Sequence, residues 1–166
     1  MTSNAMAADA LTLNAKELNA KDLNAKALNA AESKTASLSD TASLIGRIAL
    51  AALFLWSGYG KFAHTAGTIG YMQAYGMPAA DLLVWPVALV EVLAGLALVL
   101  GWKTRWAALA LIAFTLPATF VFHAYWGVPA DQVMNQQIHF MKNLAIVGGL
   151  LSVLAHGAGG LALERK

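Results

Sequence analysis

The sequence has no cysteine. That excludes disulfides, thiolate-bound zinc, Cys-ligated iron–sulfur clusters and thiol redox chemistry within the chain. Charge is also scarce. Asp, Glu, Lys and Arg make up 12% of the 166 residues, against about 25% in soluble domains. The net charge is only +2 and no basic face is clustered, which excludes a nucleic-acid-binding module. The few charges are unevenly spread. Residues 1–40 hold nine of the 20, and residues 41–166 hold the other 11. With 58% hydrophobic residues overall, that second stretch is too apolar for a soluble domain of its size. It reads as an integral membrane protein.

Residues 11–32 repeat with a period of five, LTLNAKELNAKDLNAKALNAAE, with leucines at Leu13, Leu18, Leu23 and Leu28. Five helical residues turn through about 500°, so successive leucines drift by about 140° and form no stripe. The segment is therefore neither a heptad repeat nor an amphipathic anchor. It has no uninterrupted apolar core, so it does not read as a signal peptide. The expectation for residues 1–40 is a low-complexity, disordered cytoplasmic tail that membrane insertion does not need.

Residues 41–166 read as an all-α domain, a four-helix transmembrane bundle. A span needs about 20 mostly apolar residues. Four segments qualify, at about 43–62, 82–102, 105–125 and 137–155. Pro86 is placed in the first turn of the second span and Pro117 at a kink of the third. Long continuous apolar runs argue against a β-barrel. Small residues should carry the helix packing: Ala88 and Gly95 on the second span, Ala145, Gly148 and Gly149 on the fourth.

Three groups of polar residues lie at membrane depth. Arg47 sits about one turn inside the first span and Glu91 near the middle of the second. A lone charge there is costly, so each should face the bundle and find a partner. Antiparallel geometry puts them about 6–8 Å apart in depth, and the simplest expectation is a buried Arg47–Glu91 pair. The other reading of Glu91 is a proton-exchanging carboxyl. At the opposite boundary, Lys61 and His64 end the first span, His123 ends the third, and His139, Lys142 and Asn143 share a face of the fourth. Tyr71, Tyr75 and Trp126 lie in or beside the loops there. Lys, His and Asn among aromatic rings suit the carbonyls of a quinone head group; the bland alternative is interfacial anchoring. Haem held by His123 and His139 has no other support in the sequence. The spacing of His64, His123 and His139 matches no metal motif.

These motifs resemble the DoxX family of small bacterial inner-membrane proteins with four helices. The resemblance rests on Arg47, LFLWSGYGKF at Leu53–Phe62, G-M-P at Gly76–Pro78, EVLAGLALVLG at Glu91–Gly101, F-H at Phe122–His123 and HFMKNLAIVGGLL at His139–Leu151. It covers about residues 43–156 and leaves the repeat outside. It implies a membrane subunit of an oxidoreductase or thiol/quinone system, with quinone as cofactor and a redox protein as partner. It assigns no catalytic residues, so any enzymatic role is that of a subunit. Arg47, Lys61, Glu91, His139, Lys142 and Asn143 fall at recurring motif positions. Two further readings stand beside it: a scaffold or membrane-integrity protein without chemistry, single or oligomeric, and a transporter, which the absence of broken helices and inverted repeats disfavours.

Orientation follows from Lys and Arg near the span ends. Lys34, Arg47, Lys103, Arg105, Arg165 and Lys166 share one side, against Lys61 and Lys142 on the other. Six positives against two place both termini in the cytoplasm. A periplasm-dependent phosphatase fused after Lys166 should be inactive, and one fused near Asp131 active. The reverse pattern would overturn this topology.

Overall fold

The computed structural model describes residues 2–164, with side chains from residue 16 onward. Arg165 and Lys166, counted above among the cytoplasmic positives, and the side chain of Leu13 lie outside the described residues. The helices are α1 (Thr2–Ala63), α2 (Thr65–Ala74), α3 (Ala80–Leu100), α4 (Thr104–Phe122) and α5 (Ala130–His156), with a single 3-10 turn at Tyr125–Gly127. The chain divides into two units, Met1–Ser39 and Asp40–Lys166.

In the first unit the repeat is helical, where the sequence pointed to an unstructured tail. The reason lies in its composition: Ala, Leu, Lys and Glu are strong helix formers. Leu18, Leu23 and Leu28 are all exposed, as their 140° drift requires.

In the second unit, four helices are long and apolar enough to cross a membrane: the second part of α1, and α3, α4 and α5. The all-α four-span architecture is therefore as the hydropathy indicates. α3 starts at Ala80, two residues before the expected boundary, so Pro86 falls in its second turn and leaves the Leu82 carbonyl without a helical partner.

The bundle is closed at one end and parted at the other. Toward Gly101, small residues let the backbones approach: Ala94 and Ala97 on α3 and Ala107 and Ala108 on α4 are buried with Ala51, Phe54, Leu98, Leu111, Val147 and Leu150. Toward α2, a second and smaller cluster of Met72, Ala80 and Val84 packs with Ile69, Met77 and Phe122. Between the two clusters a cavity separates parts of the helices, while α1 and α3 stay in contact. Gly58 sets the spacing of α1 and α3 at that level, since a Cβ there would come within 2.7 Å of Val92 Cγ2. The expected small-residue seam on α5 is only partly used: Gly149 packs on Leu50, whereas Ala145 and Gly148 are exposed.

Arg47 is fully buried, but its partner is not Glu91. Its Nη1 donates to the carbonyls of Leu98 (2.7 Å) and Val99 (3.3 Å), and its Nη2 to that of Leu161 (2.5 Å). Leu98 lies seven residues, or about 10 Å, beyond Glu91 along α3. Arg47 thus occupies the C-terminal end of α3, where carbonyls lack helical donors and the dipole favours a cation. α3 stops there in a Schellman turn: Gly101 N bonds Leu98 O and Trp102 N bonds Ala97 O. Gly101 has φ +67, and a Cβ on it would press on Ala162 and on Arg47 Nη1.

The carbonyl of Leu161 comes from a segment after α5 that straps the Gly101 end. Ser43 Oγ donates to Ala158 O (3.0 Å), Gly160 N to Asp40 Oδ1 (2.6 Å), Leu163 N to Leu100 O (3.0 Å) and Glu164 N to Gly101 O (3.1 Å). Glu164 also accepts from Lys103, backbone N to Oε2 at 2.7 Å and Nζ to Oε1 at 3.1 Å. Those Lys103 hydrogen bonds hold the Glu164 carboxyl below the usual carboxylate range. A carboxyl lowered by folding contributes stability above its unfolded pKa, and that contribution disappears as pH falls through the lowered value. Thermal melts of the purified protein across the acid range should show this loss, and Glu164→Gln should remove it while lowering the neutral-pH melting temperature slightly. Melts of the variant with an unchanged acid dependence would show that Glu164 is not the group responsible.

Candidate functional site

The parting of the helices leaves a cavity of about 800 Å³. Every helix of the second unit contributes to it. α1 supplies Phe54, Ser57 and Lys61 on one face, and His64 follows directly after that helix; α3 supplies Val87 and Glu91. α4 supplies Thr115, Pro117 and Phe122 before His123, and α5 supplies Asn143 and Ile146, with Tyr71 of α2 near the mouth. Leu83, Ala113, Pro117 and Val121 line the cavity and are exposed. Exposed lining residues on several helices, with Leu53 of α1 beside those of α3 and α4, bring the space to the surface that lipid would cover.

A closed polar triangle lies in this apolar wall. Glu91, 2% exposed, accepts from Lys61 Nζ at 2.8 and 3.0 Å and from Ser57 Oγ at 3.1 Å. Lys61 Nζ also donates to Ser57 Oγ at 2.8 Å. Ser57 and Lys61 are one turn apart on α1, so both reach the same carboxylate on α3. The partner of Glu91 is Lys61, 14 residues or about 21 Å along α1 from Arg47.

Three polar side chains on the cavity, those of His64, Thr115 and Asn143, make no hydrogen bond among the described residues. Thr115 Oγ1 is buried without a partner, and Asn143 also lines the space. His123 Nδ1 lies 2.8 Å from Gln136 Oε1; with that oxygen accepting, Nδ1 carries the proton and Nε2 is an acceptor. Tyr71, Tyr75 and Phe122 pack as an aromatic trio with centroids 4.9–5.4 Å apart. Burial and the hydrogen bond with Tyr75 push the Tyr71 hydroxyl up to about 12, so it stays a protonated donor at neutral pH.

The structure thus brings Lys61, His123 and Asn143 together on the cavity. It does not bring His139 and Lys142 there. His139 stacks behind His123 (centroids 5.0 Å, 17° between planes) and Lys142 is exposed. The rotation of α5 is the cause: Asn143 and Ile146 face inward, and Lys142 stands about 100° round the helix from Asn143. Trp126 packs with Phe120, Phe140 and Tyr125, away from the cavity lining. Sequence reasoning missed Ser57 and Thr115. Ser57 was detectable as the polar residue one turn before Lys61; Thr115 stands unmarked in an apolar run.

These features define a small multi-pass membrane protein whose four spanning helices enclose a largely apolar cleft with a buried ion pair in its wall. The chain belongs to the DoxX family, whose model matches residues 42–124. It is similar to the inner membrane protein YqjF of Escherichia coli strain K12, 38% identical over 128 residues, covering 77% of this chain and 93% of that protein. It is also similar to the inner membrane protein YphA of the same strain, 35% identical over 123 residues, covering 74% and 88%. A Surfeit locus protein 4 homolog of Drosophila melanogaster is 28% identical over 88 residues, covering 51% of this chain and 33% of its own. No solved structure matches the chain. With four apolar spans and these relatives, it is a multi-pass inner-membrane protein.

The pairing makes a quantitative prediction. Lys61→Leu or Glu91→Leu alone should each destabilise by about 3–5 kcal/mol, because each leaves a buried charge unpaired. The double change should cost much less than their sum. Arg47→Leu and Glu91→Leu, with separate partners, should be additive. Thermal or denaturant unfolding in detergent measures both cycles, and coupling of Arg47 to Glu91 would contradict the assignment.

Proposed function

We propose that this protein is a quinone-binding membrane subunit that works with a redox-protein partner, with both termini cytoplasmic. The observation that carries the proposal is the cleft itself. It is apolar along most of its wall, reaches residues exposed on the lipid-facing surface, and holds a free hydroxyl, a free amide and an ion pair. A quinone is lipid-soluble and presents two carbonyl acceptors. Thr115 Oγ1, Asn143 and Lys61 are the donors that fit them, and His123 Nε2 and Glu91 are the acceptors that fit the hydroxyls of the reduced form. A bound quinone would supply two-electron, two-proton redox chemistry. The chain's own residues bind and orient the ring and exclude water from it. In this reading His139 supports the cleft from behind, by holding His123 in place, and Lys142 plays no direct part.

A ligand of the folded state raises thermal stability. Ubiquinone or menaquinone analogues should therefore protect the purified protein. Thr115→Val with Asn143→Ala removes two donors and no charge, so it should abolish protection while leaving the unliganded melting temperature nearly unchanged. Absence of protection of the wild type by any quinone would overturn the proposal in favour of a scaffold.

A further inference from the structure

At the opposite end of the bundle, a second cavity of about 350 Å³ lies where α4 begins. Nothing in the quinone reading uses it. α4 starts without a side-chain cap, and its first helical bond is Ala107 N to Lys103 O. The amides of Thr104, Arg105 and Trp106 therefore point out of the helix without acceptors. The positive end of a 19-residue helix dipole lies at the same place. A second observation is independent of the helix end. Thr104 lines the cavity and is 3% exposed, and its Oγ1 has no partner. A buried hydroxyl in that position has a donor to offer.

The charge of the cavity points the same way. Lys103, Arg105 and Glu164 line it. Lys103 occupies both oxygens of Glu164, through Nζ and through its backbone N. Arg105 donates from Nη2 to Ala155 O at 3.2 Å and has no carboxylate partner among the described residues. Trp102 and Trp106, both exposed, flank the site at the ends of α3 and α4. Tryptophans in that position mark the level of lipid headgroups.

We propose that this cavity binds a phosphate group, carried by a phospholipid of the adjacent leaflet. The free amides of α4 and the Thr104 hydroxyl would donate to its oxygens, and Arg105 would supply the charge. Glu164 limits the affinity by holding Lys103.

Native mass spectrometry of the full chain in detergent tests this, with phosphatidylglycerol, diacylglycerol and inorganic phosphate as probes. One phosphatidylglycerol should be retained and diacylglycerol should not. Arg105→Gln should weaken retention about tenfold, the loss of one hydrogen bond to a charged group. Thr104→Val should weaken it several-fold with little change in melting temperature, and Glu164→Gln should strengthen it by freeing Lys103. The Thr104 and Glu164 changes decide the matter even if Arg105→Gln fails to fold. Equal retention by Thr104→Val, Glu164→Gln and wild type, or equal retention of diacylglycerol, would overturn the site. Displacement of the lipid by millimolar inorganic phosphate would overturn the lipid as its source.

Discussion

The ion pair of Lys61 and Glu91 is the constraint on which the rest of this bundle depends. An unpaired carboxylate in the middle of a membrane span is expensive, and Glu91 is almost wholly buried. Its only ionic partner among the described residues is Lys61, with Ser57 completing the triangle. That fixes the register of α1 against α3 and turns one face of α1 inward. Gly58 follows from the same requirement, because the two backbones must come close for the side chains to meet. Once α1 is seated in this way, Arg47 falls on the carbonyls that end α3. One register therefore gives both buried charges partners, Glu91 near the middle of α3 and Arg47 at its C-terminal end.

The division of the bundle into a closed end and an open end has a steric origin. Alanines on α3 and α4 permit close packing toward Gly101. Toward α2 the lining residues are larger or polar, and Pro117 removes the amide that would bond the Ala113 carbonyl. Packing cannot close around such a surface. α2 and the aromatic trio of Tyr71, Tyr75 and Phe122 cover that end instead. A largely apolar cavity with a few polar groups in its wall is the result, and the proposed ligand is of the class that suits such a cavity. The closed end is strapped by residues 157–164, which give Arg47 Nη2 an acceptor and donate to the carbonyls of the α3–α4 turn.

Much of this was legible in the sequence, for a physical reason. A membrane span must satisfy its own backbone and be apolar over its length, so hydropathy alone locates α3, α4 and α5 to within a few residues, except that α5 begins at Ala130, well before the apolar run. The need of Arg47 and Glu91 for partners was also legible, since isolated charges at that depth are untenable. Which partners they take was not. Register between antiparallel helices depends on how residues 64–79 are used. They include the helix α2, although Gly67 and Gly70 lower its intrinsic propensity and tertiary packing of Ile69, Met72 and Tyr71 holds it. Lys61, His123 and Asn143 were recognised as a cluster because three span ends converge. The rotation of α5, which turns Asn143 inward and Lys142 outward, is set by packing that no helical projection of one segment contains. The strap was illegible because glycines and small residues after His156 carry no periodic signal.

The ionised Lys61–Glu91 pair is best tested by infrared difference spectroscopy of the protein in lipid bilayers at neutral pH, comparing wild type with Glu91→Gln. The account predicts that the wild type carries carboxylate stretching bands that vanish in the variant, and that Lys61→Met perturbs the same bands. A protonated carboxyl stretch assigned to Glu91 in the wild type, insensitive to Lys61→Met, would contradict it.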